Sequence, residues 1–328
     1  MADLTTLKIG GKARLFVRAE SEEQVLEAFN FSDENEIPLF ILGGGSNVLI
    51  SDAGFDGLVL QIGLQGIAAK ENIITAQAGE DWDEFVNFCV GQTLAGIECL
   101  SGIPGFVGAV PVQNVGAYGQ EVSETITKVR VFDRKSKQVL ELGNADCKFA
   151  YRSSIFNTTD KNRFIVLAVE FNLIADGKPK IDYKDLKEFF AGKRPNLQRA
   201  REAVLQIRRA KSMVIDENDV NSRSAGSFFK NPIVEAEKLK DLPENAPNFK
   251  VDENLVKIPA AWLIENAGFK KGYKKNRAGI SSNHSLALIN RGGASAEEII
   301  ALKDEIQLKV KTKFKIELVP EPVFVGFS

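Results

Sequence analysis

Histidine is almost missing from this chain of 328 residues, which carries only His284. Zinc sites built on histidine pairs, such as HExxH, are therefore excluded, and a Ser-His-Asp hydrolase would depend on one imidazole in a chain without GxSxG. Cysteine is scarce as well. Cys89, Cys99 and Cys147 are odd in number, widely spaced and form no CxxC, which excludes a disulfide framework and leads us to expect a reducing, cytoplasmic setting. Neither sign of charge dominates: Lys+Arg 42 against Asp+Glu 44 leaves net −2, so no nucleic-acid partner is expected. No apolar run approaches the roughly 20 residues of a membrane span. The opening Met1-Ala2-Asp3-Leu4 lacks the basic-then-apolar layout of a secretion signal, so no membrane insertion is expected. GxGxxG and GK[ST] are absent too, so a nucleotide would be held by neither standard loop.

What remains is an ordinary globular composition, 44% hydrophobic and 26% charged. The length suggests about two domains of roughly 150 residues. Ser21 and Gln24 form a capping box ahead of a helix over 21–30 with Val25, Leu26 and Phe29 on one face. Residues 37–42 read as a buried strand that stops at Gly43-Gly44-Gly45-Ser46-Asn47 and resumes as strand at Val48-Leu49-Ile50. In a dinucleotide-binding βαβ unit that glycine loop would open a helix instead. Strand-like pattern fills 57–79, a helix is expected from Asp81 to about Val90, and strands recur at 129–131 and 164–173. The charged stretch 186–211 reads as helical and marks a domain boundary. Ser295 and Glu298 cap a last helix presenting Ile299, Leu302, Ile306 and Val310, and 314–318 alternates like a half-buried strand.

Five segments are candidates for chemistry. The Gly43–Asn47 loop can turn successive N–H groups toward an anion such as a pyrophosphate; it can equally be a tight strand connection. From Ser101 to Gln120 no residue is charged, glycine recurs at 102, 105, 108, 116 and 119, and prolines stand at 104 and 111. Such a backbone can lie against a flat heterocycle and hydrogen-bond its edge, as an isoalloxazine ring would require. Gly226-Ser227-Phe228-Phe229-Lys230-Asn231-Pro232 puts a hydroxyl among apolar side chains with a cation and an amide beside it, or is simply the start of an apolar strand. Arg152, in Tyr151-Arg152-Ser153-Ser154, suits bidentate capture of a carboxylate or a surface ion pair. Glu321, between Pro320 and Pro322, has a restricted backbone or lies in an exposed terminal turn. The basic run Lys270–Lys275 reads as a solvated loop.

In order along the chain, TTLKIGGKA, ILGGGSNVL, GIPGFVGAVPVQNVGAYG, YRSSIF, GSFFKNP, IPAAWLIENAGFKKG, SSNHSLALIN and PEPVFVG resemble the UDP-N-acetylenolpyruvoylglucosamine reductase family. These are flavoenzymes of peptidoglycan precursor synthesis and so of cell-wall biogenesis, cell shape and division. The resemblance implies an α+β fold. It comprises a two-subdomain FAD-binding domain of the vanillyl-alcohol-oxidase (PCMH) type, over 1–68 and 69–205 with 319–328 returning to the latter, and a separate α+β substrate-binding domain over 206–318. It implies non-covalent FAD, NADPH as reductant, UDP-N-acetylglucosamine enolpyruvate as substrate, no metal, and a monomer as the expected state.

Residue by residue, the resemblance assigns FAD to Gly43, Gly44, Gly45, Ser46 and Asn47 and to Ile103, Pro104, Gly105, Gly108 and Asn114. It assigns substrate contacts to Tyr118, Arg152, Tyr183, Lys211, Lys230, Asn231 and His284, with Tyr183 on a loop that closes over substrate. Ser227 matches the proton donor, and Arg152 and Glu321 the other catalytic positions. Thr5 stands where the family usually has asparagine. In the implied reaction, hydride arriving at the terminal carbon of the enol ether drives negative charge onto the substrate carboxylate. Arg152, and a protonated Glu321, would hold that charge. Two rival readings are an oxidase of the same fold, many of which carry flavin on a covalent His or Cys, and a UDP-sugar binding protein without catalysis. The single histidine lies outside the FAD segments, and a pure binder would not need Arg152, Ser227 and Glu321 together.

Overall fold

Strand Phe55–Ile62 buries Leu58, Val59, Leu60 and Ile62, because its parallel pairing to Leu39–Leu42 leaves both of its faces covered. In the computed structural model, which describes residues 1–327, this strand is the middle of a three-stranded sheet between Ala13–Ala19 and Leu39–Leu42. The described residues form two compact units, one of Ala13–Gly44 and Asp56–Ala210, the other of Met1–Lys12, Gly45–Phe55 and the chain from Lys211 onward. The chain thus passes from one unit to the other inside the triglycine loop.

In the N-terminal unit, helix α1 (Glu22–Glu34) starts as expected at Ser21, whose side chain accepts from the Gln24 N–H at 3.3 Å. The return half of the cap shifts by one residue, since Gln24 Oε1 accepts from Glu20 N–H. A five-stranded antiparallel sheet runs Gln138–Gly143, Ile126–Asp133, Phe164–Asn172, Ile73–Gln77, Ile67–Lys70. Helix α2 (Trp82–Gly91) is capped by Asp81 Oδ1 and packs Trp82 and Phe85 against Phe171. The helical stretch expected over 186–211 is two helices, α3 (Lys184–Phe190) and α4 (Leu197–Ala210). Ala191 and Gly192 take positive φ of 46° and 83°, and Pro195 lacks the N–H a continuous helix needs.

The C-terminal unit has two small antiparallel sheets, a parallel pair, and two helices, α5 (Ala260–Asn266) and α6 (Ala296–Phe314). α6 carries the full Ser295–Glu298 capping box and buries Ile299, Leu302, Ile306 and Val310 completely. Asp52 adds two further bonds to its first N–H, at 3.0 and 2.8 Å. One expectation is corrected here. Residues 314–318 alternate in burial but form no strand: Phe314 ends α6, Lys315 takes φ 57°, and the Leu318 carbonyl is met by the Gln307 side chain. The terminal strand Val323–Val325 pairs in parallel with Val48–Ile50, and the segments 1–12 and 45–55 cluster with the C-terminal unit.

No helix among the described residues is long and apolar enough to cross a membrane. All three cysteines are fully buried, and burial pushes the Cys89 and Cys147 thiols up to about 12 and the Cys99 thiol higher still. The folded protein is therefore expected to leave all three unreacted toward a thiol reagent at mildly alkaline pH and to release three equivalents on denaturation, as a colorimetric thiol assay would read.

Candidate active site

The N-terminal unit brings two of the glycine segments into contact. A Cβ on Gly44 would lie 2.7 Å from Gly105 Cα, so the two backbones approach closer than any side chain allows. The Gly102–Gly108 stretch is itself spliced to the entrance of α2. Gly102 donates to Asp83 Oδ1 at 2.6 Å, Trp82 N–H to the Gly105 carbonyl, Val107 to Glu80 and Gly108 to Ala78, each of the last three at 2.9 Å. The N–H of Gly108 is thus spent inside the protein. Those of Gly44, Gly105 and Phe106 have no acceptor among the described residues. Gly43 is held differently, its carbonyl accepting from Gln61 Nε2.

Three expected site residues of this unit sit at positive φ without being glycine: Asn114 at 45°, Tyr118 at 49° and Arg152 at 52°. Such backbone costs about 1–3 kcal/mol per residue and persists only where surroundings enforce it. For Arg152 the enforcement is visible. Its guanidinium stacks on Tyr151 and donates to the Gly116 carbonyl at 2.7 Å, and its own carbonyl accepts from Asn157 Nδ2. Asn114 turns out to be a clamp. Buried, it donates to Glu121 and to the Ala150 carbonyl and accepts from Ser123 N–H, so its side chain ties 121–123 to the backbone just before Tyr151.

Tyr118 and Tyr183 meet edge to face, 5.4 Å between centroids, with Tyr183 half-exposed at the start of α3. Beneath them lies a network not anticipated from sequence. Glu98 is fully buried and accepts from Gly96 N–H, Gln120 Nε2 and Lys180 N–H at 2.8–2.9 Å, while Gln120 Oε1 accepts from Cys99 N–H. One carboxylate therefore ties together the turn after Tyr118 and the segment leading to Tyr183. The buried Arg208 of α4 bonds the Tyr118 hydroxyl, and burial draws its guanidinium pKa down. The signal for Glu98 was present: it is one charge inside Ile97-Glu98-Cys99-Leu100.

In the C-terminal unit Gly45 takes φ 66°, and a Cβ there would fall 1.8 Å from the Leu4 carbonyl oxygen, so only glycine fits. Gly45 is buried, yet its N–H and that of Ser46 have no acceptor among the described residues. Buried amides are nearly always paired, and unpaired N–H groups at successive glycine-loop positions suit a phosphate. The residues thus fit the diphosphate of a dinucleotide such as FAD. Thr5 is a turn pin, its hydroxyl bonded to the Ala2 and Ile9 carbonyls, whereas Thr6 donates to Ser224 at 2.6 Å.

A short backbone ladder joins the two C-terminal motifs. Glu321 N–H donates to Phe228 and Lys230 N–H to Val319, both at 2.9 Å, with Phe229 opposite Pro320. Asn47 completes it: its side chain donates to the Glu321 carbonyl and its own carbonyl accepts from Val323 N–H. Ser227 and Glu321 are thereby held on adjoining extended segments. Glu321 is half-buried. Ser227 Oγ lies 3.2 Å from His284 Nε2. Asn231 spends its amide oxygen on the first N–H of α5, at Ala260. Lys211 opens this unit, next to Ser212, which accepts from Asn283.

The comparisons with known proteins bear on both units. Residues 13–142 match the family described as an FAD binding domain, and 218–325 the C-terminal domain of UDP-N-acetylenolpyruvoylglucosamine reductase. UDP-N-acetylenolpyruvoylglucosamine reductases of Streptomyces coelicolor and Thermobifida fusca are 44% and 42% identical to the chain, each across 100% of it and across 89% and 97% of their own lengths. The crystal structure of UDP-N-acetylenolpyruvylglucosamine reductase from Thermus caldophilus shares the fold, with TM-score 0.71 and 24% identity over 99% of this chain and 97% of that one.

The glycine contact supplies a test. Gly44→Ala leaves an ordinary φ but forces Gly105 away, so the variant should fold and hold FAD at least about tenfold more weakly, equivalent to ~1.4 kcal/mol. Flavin fluorescence on dilution of the purified holoprotein would measure this. With an α+β fold, an FAD-binding domain and full-length relatives of one name, the chain belongs to the UDP-N-acetylenolpyruvoylglucosamine reductase family, flavoproteins of peptidoglycan precursor synthesis.

Proposed function

We propose that this protein reduces the enolpyruvyl ether of UDP-N-acetylglucosamine enolpyruvate to UDP-N-acetylmuramate, with NADPH as reductant and non-covalent FAD as the carrier. When bound, the reduced flavin supplies a hydride. The protein's own residues then have two tasks: to stabilise the charge that hydride addition sends to the substrate carboxylate, and to deliver a proton to the carbon bearing the ether oxygen. Arg152 is suited to the first. Its guanidinium is fixed by the Tyr151 ring and the Gly116 carbonyl, so it needs little reorganisation as charge develops. Glu321, on the segment paired with Phe228, is proposed to hydrogen-bond the same carboxylate in its protonated form. Tyr118, Tyr183, Lys211, Lys230 and the amide N–H groups of Asn231 are proposed substrate contacts.

Ser227 is the proposed proton donor. The observation that carries the reading is the pairing of Phe228 and Lys230 with Glu321 and Val319, which ties the segment bearing the Ser227 hydroxyl to the one bearing the Glu321 carboxyl. Ser227→Ala should still accept hydride from NADPH and lose flavin absorbance. Reduction of the enolpyruvyl sugar should fall by about 10²–10⁴, the usual contribution of a positioned acid. Stopped-flow absorbance of the two half-reactions separates them, and normal turnover of the variant would remove Ser227 from the role. Because GxGxxG is absent, we further propose that NADPH and the sugar nucleotide use one site in turn. Initial-rate plots against both substrates should be parallel, and intersecting lines would reject the shared site.

A further inference from the structure

A serine hydroxyl is a weak acid. An oxygen that gives up its proton to carbon must be stabilised as it becomes an alkoxide and must be reprotonated before the next turnover. The residue next to Ser227 Oγ is the one side chain type that changes charge near neutrality in ordinary surroundings. His284 Nε2 stands 3.2 Å from that oxygen, and both residues are half-buried. The approach is built into the backbone. Phe228 N–H donates to the Leu286 carbonyl at 2.8 Å, tying the residue after Ser227 to the turn that carries His284. That turn is pinned on three sides, by Ala287 N–H on the His284 carbonyl, by Asn283 on Ser212, and by Ser285 on Glu265 of α5.

We propose that His284 is the proton relay of Ser227, a role beyond substrate contact, and one that rests on the reading of Ser227 as proton donor. The acting form is the imidazolium. Nε2–H points at Ser227 Oγ, which leaves the hydroxyl proton free to face the substrate. As the Ser227 O–H bond breaks, a C–H bond forms on the substrate and the bonding pair stays on Oγ. The Nε2–H bond then breaks toward Oγ, its pair remains on nitrogen, and the serine is whole again with a neutral imidazole. Solvent returns one proton to the ring, so each turnover consumes one proton from water and this step moves no further electrons. A neutral imidazole would instead accept the serine proton and draw it away from the substrate. The charged groups on the segments packed against the His284 turn are Lys211, Asp219, Arg223, Lys230, Glu265 and Lys271.

The sign follows: reoxidation of the reduced enzyme by the enolpyruvyl sugar should slow as pH rises through the imidazolium pKa. In His284→Gln, which keeps a hydrogen-bonding side chain but cannot titrate, that falling limb should vanish between about pH 5 and 8. The rate on the acidic side should drop by about tenfold or more. A variant that raises KM and keeps the limb would overturn the relay and leave His284 a substrate contact. A second readout needs no turnover and no variant of the histidine. In untagged protein labelled at its single histidine, nuclear magnetic resonance should show one titrating ring whose Nε2 shift and midpoint move in Ser227→Ala. An unchanged ring would overturn the relay. If Ser227→Ala turned over normally, the donor reading itself would fall. If that variant were inactive while His284→Gln kept the wild-type pH profile, only the relay would.

Discussion

Backbone hydrogen bonds between segments far apart in sequence decide what chemistry the C-terminal unit can offer. Phe228 and Lys230 pair with Glu321 and Val319, and Asn47 bridges Glu321 to Val323. Each bond is worth only about 1 kcal/mol net. Together they remove the freedom of a proline-bounded carboxyl and of a serine that would otherwise lie on independent loops. Directional bonds suit this task better than apolar packing, which holds Phe228 and Phe229 in place without specifying where Ser227 points.

The N-terminal unit reaches similar order by a different route. Its uncharged glycine segments carry little side-chain bulk, so position comes from donors spent inward, on Asp83, Glu80 and Ala78, while other amides keep no internal acceptor. Around Tyr118 the same division holds. Glu98 is a buried acid whose oxygens accept from three N–H groups. It fixes the tyrosine segments by desolvated hydrogen bonds, each costly to lose.

Several residues that read as ligand contacts in the sequence have their polar atoms engaged with the chain. Asn114 clamps two loops, Asn231 caps α5, and Asn47 joins two strands. A motif records that a side chain is needed at a position, not whether it serves by touching the ligand or by holding the residue that does. Asparagine, with a donor and an acceptor end, is well suited to holding.

Local elements were legible where local physics suffices. Caps at Ser21 and Ser295 and the apolar period of α6 were visible as residue patterns, because N-terminal amides are satisfied within three residues. The order of the glycine, arginine, serine and glutamate motifs likewise identified the family. Where partners are remote, the sequence was silent or misleading: 314–318 alternates without a strand to pair, 186–211 breaks at Ala191, and Val323–Val325 chooses Val48–Ile50. His284 and Ser227 are 57 positions apart, and no pattern in either stretch says that they meet. The sequence by itself determined which side chains and which short-range caps were available. The tertiary structure decided which of them share a hydrogen bond, because that depends on distances set only when separated segments pack.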